Sequence, residues 1–183
     1  MAAPFDIERL KITGPFVDLL DEVRGGWKYN PPQIAVSGNG TIVYISYVSK
    51  SDISKTEQKK YELVWVDRRG RPESLVAPAK YYGSARLSPD ERHIALMVFQ
   101  KGLDSQVHLY DILGDTLAPF TTKGADRPEW SPDGAQIAFW SENRRGVFRK
   151  SVDGSAFPEL LANEPSPGAF LWPHSWAPDG KFL

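Results

Sequence analysis

A four-residue turn, Ser-Pro-Asp-Gly or a close variant of it, occurs four times in this chain, each time before a short apolar segment. The copies are separated by 51, 43 and 46 residues and begin at Ser37, Ser88, Ser131 and Ala177. In such a turn Pro presets φ, Asp accepts hydrogen bonds from nearby backbone, and Gly adopts a left-handed conformation without strain. A repeat of about 40–50 residues built from short strands is typical of a β-propeller blade.

Four short strands can be placed around each turn. An inner strand ends just before the turn, as in Ala85–Leu87 and Pro128–Trp130, and an apolar second strand such as His93–Phe99 follows it. A third strand such as Val107–Asp111 and a fourth such as Leu117–Thr121 complete the unit. We therefore predict an all-β fold, a partial or closed β-propeller of about four four-stranded antiparallel blades, with three whole blades and two halves.

The repeats cover the chain as a single array. We assign residues 1–24 to a half blade, 25–78, 79–123 and 124–164 to whole blades, and 165–183 to a second half blade. The first half supplies outer strands at Phe5–Ile12 and Pro15–Leu20, and the last supplies an inner strand at His174–Trp176. We expect a fragment of a larger protein that self-associates through its half blades, because unpaired strand edges recruit other strands.

Charge and hydropathy exclude several kinds of partner. The net charge is −1, the pI is near 6.3 and the two signs are interspersed, so no basic stripe suits a nucleic acid. No apolar run is long enough to span a membrane, and the N-terminus lacks the features of a signal peptide. We predict no nucleic-acid partner and no membrane association, and the chain, which has no cysteine, does not indicate a compartment.

Two segments carry a family resemblance. The run from Trp130 to Phe139, which contains the third turn, resembles the repeat of TolB-like propellers. The run from Leu63 to Glu73, followed by Ala85–Asp90, is similar to the propeller region that follows the kinase domain of many bacterial serine/threonine protein kinases. The resemblance covers nearly the whole chain and implies a propeller module of a larger bacterial protein. No kinase motif occurs in this sequence.

Known catalytic motifs are also missing, so the first interpretation is a module without enzymatic activity. There is no nucleophile elbow, no His-Glu-x-x-His and no phosphate-binding Gly-rich loop, and we predict no catalytic residue, no metal and no cofactor. The module would bind a protein or peptide, or an oligosaccharide. The resemblance also implies an alternative, namely the substrate-gating propeller of a prolyl-oligopeptidase-like hydrolase or a propeller that acts on polysaccharides.

Candidate binding residues are those that differ between blades at equivalent positions, because residues that recur in every blade build the blade itself. The segments leading into the inner strands differ in this way and carry Tyr82, Asp126, Arg127, Trp172 and His174. In propellers these segments line the mouth of the central channel, so we predict a ligand site there. The tryptophans before the last two turns occupy equivalent positions and are predicted to pack between blades.

Overall fold

The computed structural model describes residues 3–18, 34–36, 42–47, 61–66, 71–75, 80–100, 104–166, 171–181 and 183. Within these residues all regular secondary structure is β-strand, in three four-stranded antiparallel sheets and one two-stranded hairpin. The described part of the chain contains no helix that could span a membrane. The predicted all-β architecture is therefore confirmed, as a partial propeller whose sheets are not closed into a ring.

Each four-stranded sheet is a meander, in which strands that follow one another in sequence are hydrogen-bonded neighbours. The hairpin consists of β1 (Phe5–Asp6) and β2 (Lys11–Ile12). The first sheet consists of β3 (Ile34–Val36), β4 (Ile42–Tyr47), β5 (Tyr61–Val66) and β6 (Pro72–Ser74). The second consists of β7 (Tyr82–Leu87), β8 (His93–Phe99), β9 (Ser105–Asp111) and β10 (Thr116–Pro119). The third consists of β11 (Ala125–Trp130), β12 (Gln136–Ser141), β13 (Gly146–Ser151) and β14 (Glu159–Asn163).

The hydrophobic core lies between successive sheets. Val43 and Leu63 of the first sheet belong to one buried cluster with Leu96 of the second, and all three are fully buried. Val107 of the second sheet packs in the same way with Ile137 of the third. Because strand side chains alternate between the two faces of a sheet, each sheet can bury both faces against its neighbours. The sheets are thus stacked as propeller blades.

The repeated turn has the structure that its sequence predicts. The Ser131 hydroxyl donates to Asp133 Oδ1 (2.6 Å) and accepts from the Gln136 N–H (2.9 Å). Asp133 Oδ1 also accepts from the Ala135 N–H (3.0 Å), and the turn that begins at Ser88 repeats these bonds. The hydrogen bond from Ser131 is the main cause that lowers the pKa of Asp133. The serine and aspartate therefore close the turn and start the second strand.

The second turn contains a residue in an unfavourable conformation, which leads to a stability prediction. Glu91 has φ of 60°, at the position where the third turn has Gly134 with φ of 71°. Glu91→Gly should raise the free energy of unfolding by about 0.5–1 kcal/mol, because the left-handed strain of a side-chain-bearing residue exceeds the entropic cost of glycine. Gly134→Ala should lower it by about 1 kcal/mol. Urea unfolding measures both changes in the free energy of unfolding. A Glu91→Gly protein that is less stable than the wild type would contradict the interpretation that Glu91 is strained in this turn.

The inner strands begin earlier than the sequence indicates. β7 starts at Tyr82 rather than Ala85, and β11 starts at Ala125 rather than Pro128. The cause is a β-bulge in each strand, where the register shifts between Tyr82 and Ser84 and between Asp126 and Glu129. Pairing resumes beyond the bulge, so that positions predicted as loops belong to strands.

The two predicted half blades also differ from expectation. The segment Phe5–Ile12 is a hairpin rather than one strand, because Asp6 Oδ1 accepts from the N–H groups of Glu8 and Arg9 and closes a turn. His174–Trp176 is not a strand, and the neighbouring Pro173 has no N–H to donate to a ladder. The prediction for Pro15–Leu20 extends into residues 19–33, outside the described part, and the blade boundaries stay predictions.

Candidate binding site

The structure brings together three of the five predicted site residues. The Arg127 guanidinium lies over the indole ring of Trp172, with 3.8 Å between Cζ and the ring centroid. Asp126 precedes Arg127 in β11, near the start of the inner strand. Tyr82 is instead fully buried in the cluster between the first two sheets, and burial raises its pKa well above the usual value. His174 is exposed. We refer to Asp126, Arg127 and Trp172 as the Asp-Arg-Trp cluster.

The bulge in β11 positions the arginine. Arg127 has φ of 50°, in the left-handed region, and lies within the shift of register between Asp126 and Glu129. Pro128 follows it, is fully buried and has no N–H, so the regular hydrogen-bond ladder is interrupted at this point. Bulges re-aim side chains, and a non-glycine residue held at positive φ costs about 1–3 kcal/mol. The fold thus maintains a strained backbone that places the guanidinium on the tryptophan.

Asp126 is a half-buried carboxylate with an unsatisfied oxygen. Its Oδ1 atom is buried and has no hydrogen-bond partner among the described residues. Burial raises the pKa of Asp126 to about 6, an effect that the charge of Arg127 opposes and that of Glu142 reinforces. The same burial lowers the pKa of Arg127. Buried polar atoms are nearly always paired, so an unpaired carboxylate oxygen beside a guanidinium marks a place where a ligand could supply the missing donor.

A second unpaired polar atom lies at the bulge of the preceding blade. Ser84 Oγ is buried and has no partner within the described part of the chain. It follows Gly83, which occupies the bulge of β7. A side chain at Gly83 would come within 2.5 Å of Met97 Sδ, so this bulge is closely packed. Two neighbouring inner strands therefore both carry unpaired polar atoms beside their bulges.

The chemistry of the Asp-Arg-Trp cluster suits a neutral polar ligand with a flat or apolar part. Asp126 can accept a hydrogen bond, and a guanidinium donates from several N–H groups. A peptide amide offers the matching N–H and C=O, and a sugar offers matching hydroxyls and a face for the indole. No group of three or more potential metal ligands occurs in the described part of the chain.

An ion pair between inner strands was not predicted. Arg86 Nε donates to Glu129 Oε1 at 2.5 Å, and Glu129 is the more buried of the two. Both residues line a cavity of about 220 Å³ near the second and third turns. Burial raises the pKa of Glu129, and the charge of Arg86 opposes this. The sequence could have indicated the pair, because Arg86 and Glu129 each lie two positions before the first residue of a turn and have opposite charges.

Two tryptophans join consecutive blades, as predicted. Trp130 Nε1 donates to the Arg86 carbonyl oxygen at 3.0 Å. Trp176 Nε1 donates to the carbonyl oxygen of Glu129 at 3.3 Å. The donors occupy equivalent positions in their repeats, and so do the acceptors, so the same hydrogen bond links β7 to β11 and β11 to the segment that contains Trp176. These indoles therefore connect neighbouring blades.

Similarity to known proteins is found in three-dimensional structure. No protein-family model matches the sequence, and no curated protein matches it. The fold is similar to TolB from Acinetobacter baumannii (16% identity, TM-score 0.57, 79% of this chain and 33% of that one). It is also similar to a TolB-type protein from Agrobacterium tumefaciens (21% identity, TM-score 0.63, 86% of this chain and 55% of that one).

A third similar structure is the β-propeller domain of the Trilobed protease from Pyrococcus furiosus, which has an open velcro topology. Its identity is 12%, its TM-score is 0.51, and the match covers 69% of this chain and 42% of that one. The chain thus spans about a third to a little over half of the proteins that it resembles. At these identities the likeness shows the fold alone, and we conclude that this chain is a partial β-propeller whose fold is similar to that of TolB.

Proposed function

We propose that this chain is a non-enzymatic propeller module that binds a protein or peptide segment at the Asp-Arg-Trp cluster. The observation that carries the proposal is the unpaired, buried Oδ1 of Asp126 next to the strained Arg127. Strain and unpaired polar groups are costly in a fold, and they gather at functional sites. A bound amide would donate to Asp126 and accept from Arg127, with its neighbouring side chain against Trp172.

An oligosaccharide is the second ligand class that this chemistry suits. Sugar hydroxyls can both donate and accept, and the indole offers a flat face to a sugar ring. Within the cluster the partner of Asp126 is the Arg127 guanidinium, which favours the ionised carboxylate, whereas Glu142 acts on Asp126 only through its negative charge. We therefore expect binding without turnover for either ligand class.

The architecture of the parent protein separates two roles for such a module. A kinase domain before this segment would favour a sensory or interaction module, as the sequence resemblance implies. An α/β-hydrolase domain after it would favour a substrate-gating propeller, a role that the fold likeness to a protease propeller keeps open. In both architectures the propeller itself binds rather than reacts, so the two roles share the same prediction for the isolated chain.

The binding proposal predicts the effect of three substitutions. This chain, labelled with a fluorophore, is applied to arrays of capped hexapeptides and of common oligosaccharides. The affinity of the ligand that binds most strongly is then measured in solution. Arg127→Ala and Trp172→Ala should each weaken binding by at least ten-fold. The first removes the guanidinium that donates to the ligand, and the second removes the indole ring against which that guanidinium packs. Arg92→Ala is the control, since this exposed arginine lies in the turn at the other end of the inner strands.

Two results, one from the affinity measurement and one from an activity assay, would contradict the proposal. One is a ligand that binds equally well to all three variants, which would place the site elsewhere. The other is hydrolysis of a peptide or glycoside by repurified protein that is lost in Arg127→Ala, which would make the cluster catalytic.

Self-association is a further part of the proposal. The N-terminal hairpin and the residues after it expose large apolar side chains, including Ile7 and Leu10, which are 79% and 74% exposed. An isolated hairpin of two strands is at best marginally stable in water. We propose that a second copy covers this hairpin. Light scattering should give a dimer that Leu10→Asp converts to a monomer, and a monomer before substitution would contradict this.

A further inference from the structure

A groove of about 700 Å³ lies between the second and third sheets and shares no residue with the Asp-Arg-Trp cluster. It is formed by Phe120–Thr122 after β10, by parts of β12 and β13, and by the turn Gly154–Pro158 that leads into β14. Because β10 and β14 are the outermost strands of their sheets, the groove opens at the outer side of the blades. At its inner end the groove is separated from the inner strand β11 by β12 alone, since its lining residue Ser141 pairs with Ala125.

The groove has an aromatic floor and an aromatic rim. Phe120, Phe139 and Phe148 belong to the buried cluster between the two sheets, and the rings of Phe139 and Phe148 are 6.5 Å apart. Phe157 lines the same groove from the turn, and its side chain is 95% exposed. A phenylalanine held in water above an aromatic groove can cover an apolar group that enters from solvent.

Two cations stand over the aromatic rings. Lys150 Nζ donates to the Phe120 carbonyl oxygen at 2.8 Å and lies 4.7 Å from the centroid of the Phe120 ring. The Arg144 guanidinium lies 5.2 Å from the centroid of the Phe148 ring. Among the described residues that line the groove none is acidic, so the lining carries two positive charges and no negative one.

We propose that this groove binds an acidic peptide segment that carries an aromatic side chain. The aromatic side chain would enter between Phe148 and Phe157, and flanking carboxylates would pair with Arg144 and Lys150. Arginine and lysine form their strongest hydrogen bonds with carboxylates. Phe148 and Lys150 are two residues apart in β13, about 7 Å along the strand, which is the spacing of alternate residues in an extended peptide. This peptide site is separate from the Asp-Arg-Trp cluster.

A peptide suits the groove better than single-stranded nucleic acid, although both combine negative charge with aromatic rings. Nucleic-acid binding depends on a basic surface that follows several phosphates. This chain has a net charge of −1, and among the described residues only two cations line the groove. Two carboxylates match that number.

The test uses a fluorescently labelled, capped pentapeptide with a central phenylalanine, one glutamate on each side of it and a glycine at each end, and fluorescence anisotropy measures its binding to the whole chain. We expect saturable binding that weakens at least five-fold in Arg144→Gln, Lys150→Gln and Phe157→Ala. Arg149→Gln is the matched control, because Arg149 adjoins Lys150 in β13, pairs with Glu159 and does not line the groove. Circular dichroism verifies that each variant is folded.

Competing ligands make the test decisive. A pentapeptide with lysines in place of the glutamates, or with alanine in place of the phenylalanine, should bind at least ten-fold more weakly. Equal binding of either peptide, no binding of the acidic peptide, or an equal loss in Arg149→Gln would overturn the proposal. Stronger binding of an eight-nucleotide thymidine strand, or equal binding of free phenylpropionate, would also overturn it. Arg127→Ala should leave the affinity for the acidic peptide unchanged, so this test is independent of the Asp-Arg-Trp cluster.

Discussion

Replacing Trp130 by alanine is expected to lower the free energy of unfolding by about 3–5 kcal/mol, which is typical for a buried tryptophan. Its side chain is 8% exposed and packs in the cluster that joins the second and third sheets. Its Nε1 also donates to the Arg86 carbonyl oxygen, so the substitution leaves a cavity and removes a hydrogen bond between two blades. Chemical denaturation measures the change.

Two further variants serve as comparisons for Trp130→Ala. Trp130→Phe keeps much of the packing and loses the N–H donor, and should cost about 1–2 kcal/mol. Phe157→Ala, a comparable truncation of a side chain that is 95% exposed, should change stability by less than about 0.5 kcal/mol. A loss below about 1 kcal/mol for Trp130→Ala would mean that this indole does not hold the blades together.

Replacing Asp126 by asparagine is expected to stabilise the fold at neutral pH. Burial raises the pKa of this carboxyl from 3.8 to about 6, so the folded protein carries an unfavourable charge above that pH. A shift of this size corresponds to about 3 kcal/mol when the group is fully ionised in both states. Asp126→Asn removes that charge and should raise the free energy of unfolding by about 1–3 kcal/mol at a pH of about 8.

The pH dependence of this effect has a definite sign. Since the pKa of the folded state lies above that of the unfolded state, the wild-type protein loses stability relative to Asp126→Asn as pH rises from about 4 to above 6. The advantage of the variant should shrink below a pH of about 4, where the carboxyl is neutral in both states. Unfolding in urea at several pH values measures it, and an advantage that is constant with pH would contradict burial of the charge as its cause.

Asp133→Asn is the control for this experiment, because it changes another aspartate of the same blade. Asp133 accepts hydrogen bonds within its turn, and these lower its pKa. The substitution should therefore destabilise the protein at neutral pH, opposite to Asp126→Asn. If the gain in stability at Asp126 accompanies a loss of ligand binding, the cost of the buried carboxylate is explained by function.

The local parts of the fold could be predicted from the sequence. The turns at Ser88 and Ser131 are determined by hydrogen bonds between residues at most five positions apart, so their residue types reveal them. The apolar second strand His93–Phe99 was predicted with the bounds that the structure has. The structural role of Trp130 followed from its recurrence before the turns.

The inner strands and the sites depend on interactions that sequence does not display. The bulge at Arg127 arises from pairing between β11 and β12, and it moves three predicted loop positions into the strand. The repeat rule selected Asp126 and Arg127, which lie at the bulge of β11, and also Tyr82, which the fold buries between blades. The aromatic groove could not be predicted from the sequence, because its aromatic rings and its cations come from separate strands and turns.

Indole N–H spectra of the protein labelled with ¹⁵N-tryptophan test most directly whether the Asp-Arg-Trp cluster binds a ligand. The six tryptophans give six signals, and Trp172 and Trp130 report on opposite ends of the inner strands. Titration with the strongest ligand from the arrays should shift the Trp172 signal in wild-type protein and not in Arg127→Ala, while Trp130 stays in place. A shift confined to Trp130, or a Trp172 shift that persists without the arginine, would contradict the account.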